Sequence, residues 1–122
     1  MTIEEVIAKV DELAPNQYTT PQKIGWLSTL DGKIFHEVIL AHACAEAFYP
    51  EEGYSTDDEE LIVRPPYAED LYSYYLLARI AEANNETAKY NQFAALYDRA
   101  FADWAAFYGR THMPLQRGRW VF

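Results

Sequence analysis

The segment from Tyr67 to Ala83 carries apolar residues on two opposite sides of a helix, and this double pattern constrains the fold more than any other feature of the chain. At 100° per residue, one stripe consists of Tyr67, Leu71, Tyr74, Ala78 and Ala81, and the opposite stripe of Tyr72, Leu76, Ile80 and Ala83. A small protein normally buries one side of a helix in its own core. The second side then needs a cover, either a further element of the same chain or another chain.

The length and composition predict one compact, soluble domain over residues 1–122. Half of the residues are hydrophobic, which is ample for a core at this length. The hydrophobic set includes ten tyrosines, six phenylalanines and three tryptophans. Tyrosine combines a large contact area with a polar tip, so it suits surfaces that are wet in one state and buried in another.

The charge balance argues against nucleic acid or anionic membranes as binding partners. The formal net charge is −9, and such a chain repels phosphate groups. No apolar run approaches the ~18–20 residues of a membrane span. The N-terminal sequence also lacks the basic start of a signal peptide. A single cysteine, Cys44, cannot form an intrachain disulfide and fits a reducing compartment.

Capping signals and apolar spacing predict two helices in the first part of the chain. Thr2 and Glu5 match a capping box, and apolar residues follow at helical spacing. A second helix is expected from Thr20, acting as the N-cap before Pro21, to about Ala47. Two glycines inside this second helix each cost up to ~1 kcal/mol relative to alanine.

The rest of the chain reads as a loop followed by two more helices. Residues from about 49 to 66 form an irregular acidic loop, because Pro and Gly punctuate it and residues 57–60 are too charged to pack. A third helix is expected from near Pro66 to Ala83. Asn84-Asn85 then makes a turn, since Asn tolerates the left-handed conformation of many helix ends. A fourth helix follows from Glu86 to about Arg110.

The predicted fold class is therefore all-α: a single-domain, four-helix bundle-like protomer. The irregular acidic loop lies between its second and third helices, and an extended C-terminal arm spans residues from about 114 to 122. The aromatic stripe of the fourth helix is assigned to the core rather than to a ligand surface. The predicted core includes Leu27, Ile34, Val38, Leu71, Tyr74, Phe93, Tyr97, Phe101 and Trp104.

The sequence offers no convincing metal site, and no metal or other cofactor is expected. His36 and His42 are six residues apart, about 240° around a helix, so they cannot share one ion. Pairing His42 with Glu46 gives two ligands where zinc takes three or four. The acidic run at residues 57–60 lacks the mid-loop glycine of a calcium-binding loop.

No arrangement typical of catalysis is present either, and the protein is expected not to be an enzyme. No strand-turn-helix elbow presents a serine, and no glycine-rich phosphate loop occurs. Cys44 lies in the middle of a predicted helix without an evident activating partner. A helical-bundle enzyme or metal protein would need carboxylate and histidine pairs facing one interior, and the pattern does not supply them.

Two features are candidates for an assembly interface. The first is the second stripe of the third helix, represented by Tyr72, Leu76 and Ile80. The second is the C-terminal arm, where large aromatics gain little unless something buries them. Packing against the same protomer is the alternative for both features. The interface residues predicted in the arm are Arg117, Arg119, Trp120 and Phe122.

Three stretches of the sequence resemble the head–tail connector, or adaptor, proteins of tailed siphophages and prophages. They are MTIEEVIAKVDELAPNQYTTPQKIGWLSTLDGKIFHEVI, PPYAEDLYSYYLLARI and NNETAKYNQFAALYDRAFADWAAFYGRTHMP. Together they cover nearly the whole chain, and Tyr49–Glu60 is the weakest part. The likeness rests on the helix lengths, the PPY entry to the third helix, the Asn turn and the YGRTHMP exit.

The resemblance implies an all-α protomer that assembles with itself as a ring, commonly twelve-fold, beneath the portal protein. Such a ring lies at the head–tail interface of the virion, after synthesis in the bacterial host cytoplasm. It extends the DNA channel toward the stopper or tail-completion protein, without specific DNA binding and without an enzymatic step. The family has no short functional motif that transfers residue by residue. The alternative is a small cytoplasmic helical module for protein–protein interaction or regulation.

Overall fold

The computed structural model describes residues 1–42 and 49–112, and over these residues the protein is all-α. The predicted four-helix, bundle-like fold is confirmed. None of the described helices is both long and apolar enough to cross a membrane. The elements are α1 (Ile3–Leu13), α2 (Thr20–Glu37), a single 3-10 turn (Ile39–Ala41), α3 (Ala68–Ala83) and α4 (Thr87–Thr111).

Two sets of hydrogen bonds cap the N-terminus of α1: a capping box within the helix start, and backbone carbonyls of the acidic loop. The predicted box forms: the Thr2 hydroxyl accepts from the Glu5 amide at 3.3 Å, and the Glu5 carboxylate accepts from the Thr2 amide at 2.8 Å. The first two amides of the helix donate to the carbonyls of Glu59 and Asp57, at 3.1 and 2.8 Å. The acidic segment was expected not to pack. Its backbone nevertheless docks on α1, because carbonyls can satisfy the free amides of a helix end.

The start of α2 lies one residue before the predicted position. Thr19 is the N-cap, and its hydroxyl accepts from the Gln22 amide at 3.3 Å while the Gln22 side chain accepts from the Thr19 amide at 2.9 Å. The residue at the third helical position explains why Thr19, and not Thr20, is the N-cap. Glutamine there can accept the returning hydrogen bond, whereas Lys23, which would follow Thr20 at that spacing, cannot.

The end of α2 differs more from the prediction, because the helix stops at Glu37 rather than near Ala47. A 3-10 turn follows, and His42 has an extended backbone (φ −124°, ψ 149°). This change of direction buries Ile39, which is 1% exposed, while Leu40 remains exposed. Burial of Ile39 in the core therefore overrides the helical periodicity of the sequence.

Two glycines allow the acidic loop to approach α2 closely. A Cβ atom at Gly32 would lie 3.1 Å from the Tyr49 hydroxyl oxygen, and one at Gly53 would lie 2.6 Å from the Ser28 hydroxyl oxygen. Gly53 also has φ +84°, in the region that favours glycine. The Tyr49 hydroxyl donates to the Ser28 carbonyl at 2.8 Å. Gly32 thus has a packing reason that offsets its cost in helix propensity, whereas a Cβ at Gly25 would meet no atom within 4 Å.

Helix α3 lies between α4 on one side and α1 and α2 on the other. The core predictions for Leu27, Ile34, Leu71 and Trp104 are confirmed, since all four are at most 4% exposed. The other five predicted core residues are only half-buried, because α4 packs against α3 alone among the described helices. They are Val38, Tyr74, Phe93, Tyr97 and Phe101.

A carboxylate that the sequence did not single out lies at the centre of the core. Asp31 is fully buried, and its two oxygens accept from the hydroxyls of Tyr54 and Tyr72, both at 2.6 Å, and from the Ile62 amide at 2.9 Å. The Tyr72 hydroxyl accepts in turn from the Val63 amide at 2.9 Å. These bonds join α2, the loop and α3 at one point.

Burial raises the pKa of the Asp31 carboxyl, and the three donated hydrogen bonds oppose this rise without cancelling it. Its folded pKa therefore lies above its unfolded value of about 3.9. A group with a raised folded pKa contributes stability below its unfolded pKa, and that contribution is lost as the pH rises through the folded pKa.

The pH dependence of stability tests whether folding raises the pKa of Asp31. Asp31→Asn removes the titrating group and leaves every other carboxylate in place. The free energy of unfolding of the wild type, minus that of Asp31→Asn, should decrease as the pH rises from about 4 toward neutral. Urea unfolding at a series of pH values measures the difference. A difference that increases with pH would show that the hydrogen bonds lower the pKa of Asp31 overall.

Candidate assembly surface

The α3–α4 hairpin is built around the predicted Asn turn. Asn85 adopts the left-handed conformation with φ 59°. The Asn84 amide donates to the Ile80 carbonyl at 3.0 Å, and the Glu86 amide donates to the Ala81 carbonyl at 2.9 Å. These bonds satisfy carbonyls at the end of α3. The two helices can therefore turn back on each other over a short connection.

The first predicted interface lies inside the protomer. Tyr72 and Leu76 are fully buried and Ile80 is 5% exposed. The bond from Tyr72 to Asp31 shows that this side of α3 faces α2. The prediction that these three side chains form an assembly surface is therefore corrected. Most of both stripes of α3 is covered by the same chain, since α1, α2 and α4 all contact this helix.

The second predicted interface cannot be compared with the structure. Arg117, Arg119, Trp120 and Phe122 lie outside the described residues. Their contact with neighbouring subunits or with a portal stays a prediction.

A partly buried row of aromatic side chains is found instead on α4. The rings of Tyr97, Phe101, Trp104 and Tyr108 follow one another along the helix, with successive centroids 6.0, 5.8 and 5.3 Å apart. Of these, Trp104 and Tyr108 are buried, whereas Tyr97 and Phe101 are only partly buried. We name the partly buried aromatics of the hairpin the aromatic strip; it consists of Tyr75 on α3 and Tyr90, Phe93, Tyr97 and Phe101 on α4.

The aromatic strip has the physical character of a protein-binding surface. Tyr75 and Tyr97 are in ring contact, with centroids 5.4 Å apart, and partial burial raises the pKa of both phenols. A phenol with its ordinary pKa of about 10 is already neutral at neutral pH, and the raised pKa does not change that. Around the strip, α4 carries exposed polar side chains that include Asp98, Arg99 and Asp103. Uncharged aromatic side chains surrounded by a polar rim are typical of protein interfaces that form and dissociate.

The predicted helical stripe contained the signal for this surface. Its spacing assigned that side of the fourth helix to the core; Trp104 and Tyr108 are buried there, and Phe93, Tyr97 and Phe101 pack against the core while part of each ring stays accessible. Spacing reports which residues share a face, whereas burial depends on how many elements cover that face.

The described part of the chain offers little for metal chemistry. Among residues 1–42 and 49–112, no group of three or more His, Cys, Asp or Glu side chains is arranged to hold a metal ion. The Nδ1 atom of His42 lies 2.7 Å from the Val38 carbonyl oxygen, and its ring packs edge-on against Tyr108 with centroids 5.0 Å apart. Cys44 and Glu46 lie outside the described residues.

Comparison with known proteins finds no matching family model, no matching curated protein and no matching solved structure.

Proposed function

We propose that the protein is a structural subunit of a head–tail connector ring in a tailed phage or prophage. The observation that carries this proposal is the aromatic strip, a set of large aromatic side chains that stay partly accessible because α4 packs against one other helix among those described. Residues of this kind, placed centrally in an interface, supply much of the energy of association. A ring subunit uses two different surfaces in a head-to-tail contact, and the strip supplies one of them.

The connector class itself comes from the resemblance in the sequence, and the charge of the chain supports it. A net charge of −9 around a channel repels DNA phosphates, so the duplex can move without being held. The portal on one side and the stopper or tail-completion protein on the other are the proposed partners. The proposed ring is part of the virion, and the proposal includes no enzymatic step.

Assembly with the cognate portal tests the proposal. Phe93→Arg places a charge in the aromatic strip, whereas Gln92→Arg places the same charge on an exposed neighbouring position of α4. Because an anchor aromatic contributes about 2 kcal/mol to binding, Phe93→Arg should weaken assembly roughly 30-fold. Gln92→Arg should leave assembly close to that of the wild type. Sedimentation and negative-stain imaging of the protein mixed with portal measure this, after circular dichroism shows that both variants remain helical.

The possible outcomes test the connector function and the role of the aromatic strip separately. If the wild type forms no ring and binds no portal, the connector function is wrong, and capture of a single cytoplasmic partner through the strip would favour a regulatory module. If the wild type assembles and the two arginine variants behave alike, the function stands and the strip is not the interface.

A further inference from the structure

A groove of about 530 Å³ opens between the acidic loop and the last turns of α4. This volume is typical of sites that bind small molecules or a few side chains. Its lining is mainly apolar and aromatic, with Glu59 and Glu60 also contributing. The apolar residues that matter here are Leu61, Ile62, Tyr67, Trp104, Phe107 and Tyr108.

The described chain ends at this groove. His112 is the last described residue, and it is itself part of the lining. Its ring stacks on the Tyr108 ring, with centroids 3.9 Å apart and planes 11° from parallel. Residue 113 therefore starts beside the groove and not at a distant point of the surface. Ten further residues can extend ~33 Å, so residues 113–122 can reach the whole of it.

The chemistry of residues 113–122 complements the groove. The segment, MPLQRGRWVF, contains two arginines, no acidic residue and several large apolar side chains. Because the whole chain has a net charge of −9, the remainder without these two arginines has −11.

The two glutamates that line the groove can accept further hydrogen bonds. The Glu59 carboxylate accepts from the amides of Ser55 and Thr56, and the Glu60 carboxylate pairs with the N-terminal amine. A carboxylate has about four acceptor positions, so both residues can take additional hydrogen bonds. Arg64 also lines the groove, so the two carboxylates outnumber its single positive charge there.

We propose that the groove binds residues 113–122 of its own chain. Aromatic side chains of the segment, Trp120 and Phe122, occupy the apolar part, and Arg117 and Arg119 lie beside Glu59 and Glu60. Binding within one chain is favoured because a short tether gives an effective concentration in the millimolar range. In this arrangement the arm is held on its own protomer, the alternative that the sequence left open. This inference does not depend on the connector function.

Photocrosslinking in the full chain tests the occupant. p-Benzoylphenylalanine at position 67 (Tyr67→p-benzoylphenylalanine) places the probe in the groove, far in sequence from the arm. The matched control, Tyr74→p-benzoylphenylalanine, changes a tyrosine of α3 that is also partly buried but does not line the groove. Equal amounts of ¹⁵N-labelled and unlabelled protein are irradiated together and analysed by mass spectrometry. The proposal expects crosslinks from position 67 to residues 120–122 within isotopically uniform chains, at least tenfold more abundant than from position 74.

Three results would overturn the proposal. Isotopically mixed crosslinks would assign the groove to the arm of a second copy. Crosslinks from position 67 to residues 43–48 in place of the arm would assign it to that segment. Equal yields from positions 67 and 74 would show that the arm does not select the groove. In addition, Arg117→Gln with Arg119→Gln should lower the yield at least threefold, and an unchanged yield would remove Glu59 and Glu60 as partners.

Discussion

Replacement of Asp31 by alanine is expected to destabilise the protein by about 3–5 kcal/mol. The substitution leaves the hydroxyls of Tyr54 and Tyr72 and the Ile62 amide without their acceptor. Each buried polar group that loses its partner costs about 1–3 kcal/mol, and the deleted side chain leaves a cavity. Since Asp31 joins the loop to α2 and α3, its loss should also loosen the segment that lines the groove.

Urea unfolding followed by circular dichroism measures this loss. Asp98→Ala is the matched control, because it removes the same charge from an exposed position of α4. Its effect should stay within about 0.5 kcal/mol, as for most surface substitutions. If Asp31→Ala is as stable as Asp98→Ala, the three donors have other partners and Asp31 does not organise the core.

The second large effect is expected at Leu76. Leu76→Ala should cost about 2–5 kcal/mol, because this side chain is fully buried between α3 and its neighbours. Phe101→Ala should cost less, about 1–2 kcal/mol, although phenylalanine is the larger residue. Its ring is half-exposed in the aromatic strip, so less apolar area is lost from the core.

Denaturant midpoints show which of the two variants loses more stability. Both are measured under identical conditions. The sequence alone predicts the reverse, with Phe101 in the core and Leu76 at an interface. A larger loss for Phe101→Ala would restore that prediction and would place the aromatic strip inside the core.

The sequence by itself determined the helices and their ends where local chemistry decides them. The Thr2–Glu5 box, the Asn84–Asn85 turn and the periodicity of α3 and α4 depend on contacts within a few residues. Such contacts are present in the order of the residues, so they can be read without the fold. The observed ends of α4 agree with the predicted ends to within one residue for this reason.

Only the tertiary structure decided which apolar face the chain covers fully and which it covers only in part. Leu76 and Phe101 each lie on an apolar helical stripe, yet α3 is covered on two sides and α4 on one. The position of Asp31 was hidden for the same reason, since its three donors come from residues 23 to 41 positions away in the sequence. Periodicity gives the direction of a side chain around its own helix, but burial depends on distant elements that the local pattern does not contain.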